Sequence, residues 1–211
     1  MKVIFLDIDG VLNANCDFGG RSKPNPYVTT DSGELYCGIC ITHLRHLKSI
    51  IDKTDAKIVL VSSWKQDYVD YIKHGYQNRV GKYLYNKLKK FNLEIFDTTI
   101  KYDTDNGMSR GYEIITWLNN HPEVDSWVVL DDVEFDDYCF MGILPHLVKL
   151  DENYGLWSIP AVEAICKLIG RDASILTNYY KNPLKYISEA LPEQVEKVFD
   201  ELLIVHSLEV K

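Results

Sequence analysis

Short apolar runs alternate with segments of helical period along roughly the first 170 residues of the chain. Strands are predicted at the runs Val3 to Leu6, Ile58 to Val61, Trp127 to Leu130 and Leu147 to Leu150. Because the first three runs are continuously apolar, their strands should be buried on both faces of the sheet. The pattern therefore predicts an α/β fold, with a doubly wound parallel sheet covered by helices.

Helices are predicted between these strands, where apolar residues recur every three or four positions. They cover residues 41–51, 110–118 and 159–169, and two more lie within residues 64–92. Gly75 and Gly81 are predicted to break the last pair, while Ser158 and Gly170 should begin and end the helix at 159–169.

The repeating strand and helix pattern is complete by residue 170. We therefore expect residues 1–170 to form one domain, which is within the usual domain size. Residues 171–211 carry an amphipathic stripe but no candidate chemistry, and they predict a helical C-terminal extension packed on the core. An element that contacts a partner or substrate is the alternative.

Polar side chains collect where the predicted strands end. They are Asp7 and Asp9 after the first strand, Ser62 and Ser63 after the second, Asp131 and Asp132 after the third, and Arg110 at a helix start. Open parallel sheets bind ligands beyond the carboxyl ends of their strands, so these residues should share one edge. Gly10 permits the sharp turn that would aim both acids of the first pair at one ligand.

The order of these segments resembles the four motifs of the haloacid dehalogenase (HAD) superfamily of phosphotransferases. The matching segments are Asp7-x-Asp9-Gly-Val-Leu, Val61-Ser62-Ser63-Trp64, Arg110-Gly-x-Glu-Ile and Leu130-Asp131-Asp132. Within the superfamily, Ser-Ser-Trp, the Arg-Gly-x-Glu-Ile-x-x-Trp-Leu run and Gly155-Leu156 are similar to the HAD domain of Swiss-army-knife RNA repair proteins. The resemblance spans residues 3 to about 170 and implies a HAD/Rossmann-like core. Few residues separate Asn13 from Thr42, which predicts a minimal cap.

The resemblance implies a phosphomonoester hydrolase that forms an aspartyl-phosphate. Asp7 would be the nucleophile and Asp9 the general acid and base, while Ser62 and Arg110 would hold the phosphoryl oxygens, with Ser63 and Gly10 as further substrate contacts. Most superfamily members have Lys where this chain has Arg110, so Lys101 is an alternative source of the positive charge.

The four acids at the predicted sheet edge repel one another, and a single Arg cannot neutralise them. A divalent cation is therefore expected. Oxygen ligands favour Mg²⁺, and the resemblance implies that it is held by the Asp7 carboxylate, the Asp9 carbonyl and Asp131, with Asp132 in support. Asp136 and Asp137 are interpreted as solvated loop charges rather than as metal ligands.

A rival zinc site combines four residues of metal-ligand type at steps of three, namely Cys37, Cys40, His43 and His46. On a helix, such steps spread the side chains over about half the circumference, so the four cannot surround one ion. Buried thiols and partly exposed histidines are the preferred interpretation.

Charge and cysteine content limit the cellular setting. The formal net charge of −8 disfavours long-range attraction to nucleic acid or an anionic membrane surface. No apolar run approaches a membrane span, and five scattered cysteines are expected to be reduced thiols. These features predict a cytoplasmic protein with no membrane association, and no obligate protein partner is evident from the sequence.

The substrate is predicted to be a nucleic-acid end or a nucleotide, because a small cap leaves room for a polynucleotide. A local strip of basic and aromatic residues could contact a nucleic-acid strand. The strip is formed by Lys82, Lys87, Lys89 and Lys90 with Tyr83 and Tyr85. A small-metabolite phosphatase and a catalytically silent phosphate-binding module are the alternatives. A phosphoreceiver domain would carry adjacent acids after its first strand, and the order here is the reverse.

Overall fold

The computed structural model describes residues 1–14, 28–29, 32–33, 35–75, 77–100 and 110–172. The prediction for Lys101 lies outside these residues, as does nearly all of the extension predicted at 171–211. The extension therefore stays a prediction.

Seven strands and six α-helices make up the described part of the chain. In order they are β1 (Lys2–Leu6), β2 (Val28–Thr29), β3 (Leu35–Tyr36), α1 (Ile41–Thr54), β4 (Lys57–Leu60), α2 (Lys65–Ile72), α3 (Arg79–Lys89), β5 (Ile95–Thr98), α4 (Arg110–Asn119), β6 (Ser126–Asp131), α5 (Asp137–Phe140), β7 (Leu147–Lys149) and α6 (Ser158–Leu168). A short 3-10 helix, Leu144–His146, precedes β7.

The main sheet has five parallel strands in the order β5-β4-β1-β6-β7. β1 lies in the middle, with Leu6 beside Leu60 of β4 and Leu130 of β6. The α/β prediction is confirmed, as is the expectation that the strands followed by acids or serines end at one edge of the sheet. β5 was not predicted because its sequence, Ile-Phe-Asp-Thr, is half polar and lies at the sheet edge.

Helices cover both faces of this sheet, as the doubly wound prediction requires. Ile4 and Leu6 point into a core with the apolar faces of α1, α2, α3 and α6. Val3 and Phe5 point the other way, against Trp117 and the rest of the apolar face of α4. These four side chains are all fully buried, so close packing holds the backbone of the next residue, Asp7, in a fixed position.

Gly81 was wrongly predicted as a helix break, since it lies inside α3. A Cβ at Gly81 would lie 2.0 Å from the Asp67 carbonyl oxygen, so glycine here allows α2 and α3 to pack closely. Gly75 lies between the two helices with a φ of 66°, as the predicted break requires.

The described part of the insert between Asn13 and α1 contains one small hairpin, in which β2 and β3 pair antiparallel. Its two strands have two residues each.

Candidate active site

Asp7 directly follows the central strand β1 at the carboxyl edge of the sheet. Its backbone amide donates to the Leu130 carbonyl at 3.0 Å, which extends the pairing with β6 by one residue. The side chain is only 5% exposed. The edge therefore presents a buried carboxylate in a backbone position fixed by two neighbouring strands.

Arg110 is the first residue of α4, and its side chain reaches across to these strand ends. Its Nη1 lies 3.0 Å from Asp7 Oδ1 and 3.0 Å from Asp131 Oδ2. The guanidinium also lies over the Phe135 ring, 4.7 Å from its centroid. Burial acts to lower the pKa of Arg110, but the two carboxylates outweigh it and the pKa is raised. Arg110 is thus a permanent cation facing the acids.

Asp131 is fully buried at the end of β6, and both of its oxygens have partners. Oδ1 accepts from the Val133 amide at 2.9 Å, while Oδ2 accepts from the Tyr138 hydroxyl at 3.0 Å as well as from Arg110. These contacts fix the orientation of the carboxylate. Sequence reasoning missed Tyr138, since nothing in the local pattern marks a tyrosine seven residues downstream.

Asp7, Asp131 and Asp132 form an acidic cluster in which one ligand oxygen from each lies within 4.8 Å of the others. Burial raises the pKa of Asp7 to about 6, with Arg110 acting against it and Asp131 and Asp9 adding to it. Burial and the charge of Asp7 likewise raise the pKa of Asp132. The cluster therefore holds more negative charge than Arg110 offsets, and its hard oxygen donors fit a divalent cation such as Mg²⁺.

Ser62 and Gly10 complete the surroundings of Asp7 and Asp132. Ser62 is fully buried, and its hydrogen bond to Asp7 acts to lower the pKa of that carboxyl. Gly10 adopts a φ of 65°, and a Cβ there would lie 2.2 Å from the Asp132 carboxylate carbon. Only glycine allows the loop after β1 to approach Asp132 this closely.

The Asp9 carboxylate is not one of the three grouped acids, and other side chains bind it. It accepts hydrogen bonds from Trp64 Nε1 at 3.0 Å, from Asn13 Nδ2 at 2.6 Å and from Ser63 Oγ at 3.4 Å. Sequence reasoning gave roles to Asp9 and Ser63 but none to Asn13, and it noted Trp64 only as part of a motif.

This arrangement agrees with a comparison against protein families. Residues 3–159 match the family model for the HAD domain in Swiss Army Knife RNA repair proteins. The chain belongs to this HAD family. No curated protein and no solved structure matches it.

A buried triad of polar side chains connects two of the helices next to the candidate active site. Lys65 Nζ pairs with Glu113 and donates to Thr99 Oγ1 at 3.1 Å, and the threonine hydroxyl donates to Glu113 Oε2 at 3.0 Å. All three side chains are buried. The triad ties the start of α2, next to Ser62, to the first turn of α4, which carries Arg110.

Asp137 was interpreted as a solvated loop charge, and this is wrong. Its Oδ2 accepts from the Tyr112 amide at 3.1 Å, so it binds the amino end of α4 from a neighbouring element. A Cβ at Gly111 would lie 2.8 Å from this carboxylate, so the close approach depends on glycine. Asp136 is exposed, as expected for a solvated charge.

The rival zinc ligands do not form a site. His43 is fully buried, and its Nδ1 donates to the Leu12 carbonyl at 3.1 Å. Cys40 is disulfide-bonded, which corrects the expectation of reduced thiols for this residue, whereas Cys37, Cys139 and Cys166 are free. Within the described residues, the three acids are the one group of three or more side chains placed to hold a metal.

The predicted strip on α3 is divided between two sides of the helix. Tyr83 accepts a hydrogen bond from the Ile39 amide at 2.9 Å, next to the segment that contacts Asn13, and Lys87 lies 5.2 Å from the centre of its ring. Tyr85 instead lies against Tyr71 of α2, with Lys89 5.3 Å from its ring centre. The Tyr83 and Lys87 pair therefore lies on the side of α3 that faces the segment before α1, and this segment also contacts Asn13.

In the described part of the chain, no helix is long and apolar enough to cross a membrane.

Proposed function

We propose that this HAD domain is a divalent-metal-dependent phosphomonoester hydrolase that acts on phosphorylated nucleic-acid ends or nucleotides. The observation that carries the proposal is the single Arg110 nitrogen placed 3.0 Å from both Asp7 and Asp131, beside a third acid. Phosphoryl transfer needs a nucleophile, cations for the equatorial oxygens and a proton donor for the leaving oxygen, and this edge offers all three.

Asp7 is the nucleophile in this proposal. Its carboxylate oxygen attacks phosphorus, the bond from phosphorus to the leaving oxygen breaks, and an aspartyl-phosphate forms. Arg110 and Ser62, which both contact Asp7, hold the oxygens of the transferred group. Arg110 suits this role because its forked donors match the geometry of phosphate oxygens.

Asp9 acts as general acid and then as general base. It gives a proton to the leaving oxygen in the first step, and its carboxylate takes a proton from the water that hydrolyses the aspartyl-phosphate in the second. The products are the free alcohol and inorganic phosphate, and Asp7 and Asp9 return to their starting states.

Asp7, Asp131 and Asp132, with the Asp9 carbonyl, are the residues that would hold Mg²⁺. Bound there, the ion would offset the negative charge that the acids and the phosphate share. Its removal should therefore abolish activity while leaving the fold in place.

Two observations support a polynucleotide end or a nucleotide as substrate. The family is that of RNA repair proteins, and the Tyr83 and Lys87 pair lies on the side of α3 that faces the segment contacting Asn13. The test is a substrate panel of 3′- and 5′-phosphorylated oligonucleotides, nucleotides and sugar phosphates, with Mg²⁺ and after chelation. Faster turnover of phosphorylated ends or nucleotides supports the proposal, and faster turnover of sugar phosphates makes the chain a small-metabolite phosphatase.

A further inference from the structure

The carboxylate of Asp9 is held from two separate segments of the chain. Asn13 Nδ2 donates to Oδ1 at 2.6 Å, from the loop that follows β1. Trp64 Nε1, 55 residues away in sequence, lies 3.2 Å from Oδ1 and 3.0 Å from Oδ2. The side chain is therefore fixed at both oxygens rather than free to change rotamer.

The amide of Asn13 is itself locked in orientation. Its Oδ1 accepts from the Gly10 amide at 2.9 Å, and its Nδ2 also lies 3.4 Å from the Cys37 carbonyl. A backbone amide only donates and a carbonyl only accepts, so the amide nitrogen has to face Asp9. The side chain is 6% exposed, which leaves little room for another arrangement.

Trp64 connects this contact to the rest of the site. It is 1% exposed at the start of α2, and its backbone amide donates to Ser62 Oγ at 3.3 Å. The same short segment thus places Ser62 against Asp7 and the indole against Asp9. The indole N–H donates a hydrogen bond and accepts none. Trp64 therefore orients the Asp9 carboxylate, and Asp9 remains the group that transfers the proton.

We propose that Trp64 and Asn13 are the positioning residues for Asp9, aiming its carboxyl group at the leaving oxygen. The inference rests on the proposed function, in which Asp9 protonates that oxygen. Proton transfer demands close alignment of donor and acceptor, and a misplaced acid loses most of its effect. The loss should grow with the basicity of the leaving group, because a more basic oxygen depends more on protonation.

The experiment compares two aryl phosphates that differ little except in the leaving group. Phenyl phosphate releases a more basic oxygen than 4-nitrophenyl phosphate does. With Mg²⁺ present, Trp64→Phe should lower kcat/KM for phenyl phosphate about tenfold more than for 4-nitrophenyl phosphate, a part of the usual general-acid contribution. General damage to the fold would lower both values by the same factor.

Trp117→Phe is the matched control, because Trp117 is also buried and its Nε1 donates to a carboxylate, Asp97 Oδ2, at 2.8 Å. It should leave the ratio of the two kcat/KM values at the wild-type value. Asn13→Leu, which removes the other donor, should change the ratio in the same direction as Trp64→Phe.

The outcomes separate this inference from the proposed function. A wild-type protein that hydrolyses neither substrate with Mg²⁺ overturns both. An active wild-type protein whose ratio is unchanged in both Trp64→Phe and Asn13→Leu overturns the positioning role alone. A ratio that changes equally in Trp117→Phe also overturns it.

Discussion

The Asp137 carboxylate accepts a hydrogen bond of 3.1 Å from the backbone amide of Tyr112. This contact joins α5 to the first turn of α4, two residues after Arg110. The next residue, Tyr138, donates to Asp131, and Phe135 lies under the guanidinium. The segment that follows the last acidic motif therefore holds the cation and the acid that it contacts in one arrangement.

Asp137→Ala should destabilise the protein and weaken phosphate binding. Loss of a helix-capping acceptor costs about 1 kcal/mol in the free energy of unfolding, measurable by urea denaturation. Because Arg110 begins the same helix, the inhibition constant for inorganic phosphate should rise several-fold. Asp137→Asn keeps an acceptor oxygen and should lose much less of both. Equal effects of the two substitutions would show that the negative charge matters, not the hydrogen bond to Tyr112.

Tyr138→Phe should weaken the binding of Mg²⁺ to the acidic cluster. It removes the hydroxyl that orients Asp131, and loss of such a supporting contact lowers metal affinity by about tenfold or more. We expect the Mg²⁺ concentration for half-maximal rate to rise by that factor. Tyr68→Phe alters another buried tyrosine, in α2, and should leave the value unchanged. An unchanged value in Tyr138→Phe would remove Tyr138 from the support of the metal site.

Asp7→Asn should stabilise the metal-free protein at neutral pH. The pKa of Asp7 is raised from 3.8 to about 6, so between these values the folded state binds more protons than the unfolded state. Stability that Asp7 contributes is thus present below pH 3.8 and is lost as pH rises through about 6.

The size of this effect follows from the change in pKa. With a chelator present, the free energy of unfolding of the wild type minus that of Asp7→Asn should fall by about 3 kcal/mol between pH 3.5 and pH 7. Urea denaturation at several pH values measures this difference. A difference that does not change with pH would mean that the buried charge of Asp7 carries no cost.

Lys87→Ala should raise the Michaelis constant for a phosphorylated oligonucleotide and reduce its dependence on salt, because one contact to the nucleic-acid backbone is lost. Lys89→Ala is the control, since Lys89 packs on a tyrosine in the same way but on the other side of α3. Neither should change turnover of 4-nitrophenyl phosphate. If the two substitutions changed the Michaelis constant for the oligonucleotide equally, this would contradict the proposal that the nucleic acid passes along the Tyr83 side of α3.

The sheet could be predicted from the sequence because its strands carry the signal themselves. Val3 to Leu6 is continuously apolar, and such a run is typical of a strand buried on both faces. The charged and hydroxyl residues at the strand ends could be marked for the same reason, since parallel strands end at one edge. β5 could not, because an edge strand needs less apolar surface.

The contacts that support the site could not be predicted. Trp64 meets Asp9 across 55 residues, and Asp137 meets Tyr112 across 25. No periodicity in the local sequence marks such pairs, because they depend on how α2, α4 and α5 pack on the sheet.

The central claim is that Asp7 is the nucleophile of a metal-dependent phosphatase. The most direct measurement is the rate of 4-nitrophenyl phosphate hydrolysis by the wild type and Asp7→Asn, each with Mg²⁺ and after exhaustive chelation. We predict turnover only for the wild type with Mg²⁺, because the amide lacks the nucleophilic oxygen anion and the acidic cluster repels phosphate without the metal. Full wild-type activity after chelation, or more than a trace of activity in Asp7→Asn, would contradict the account.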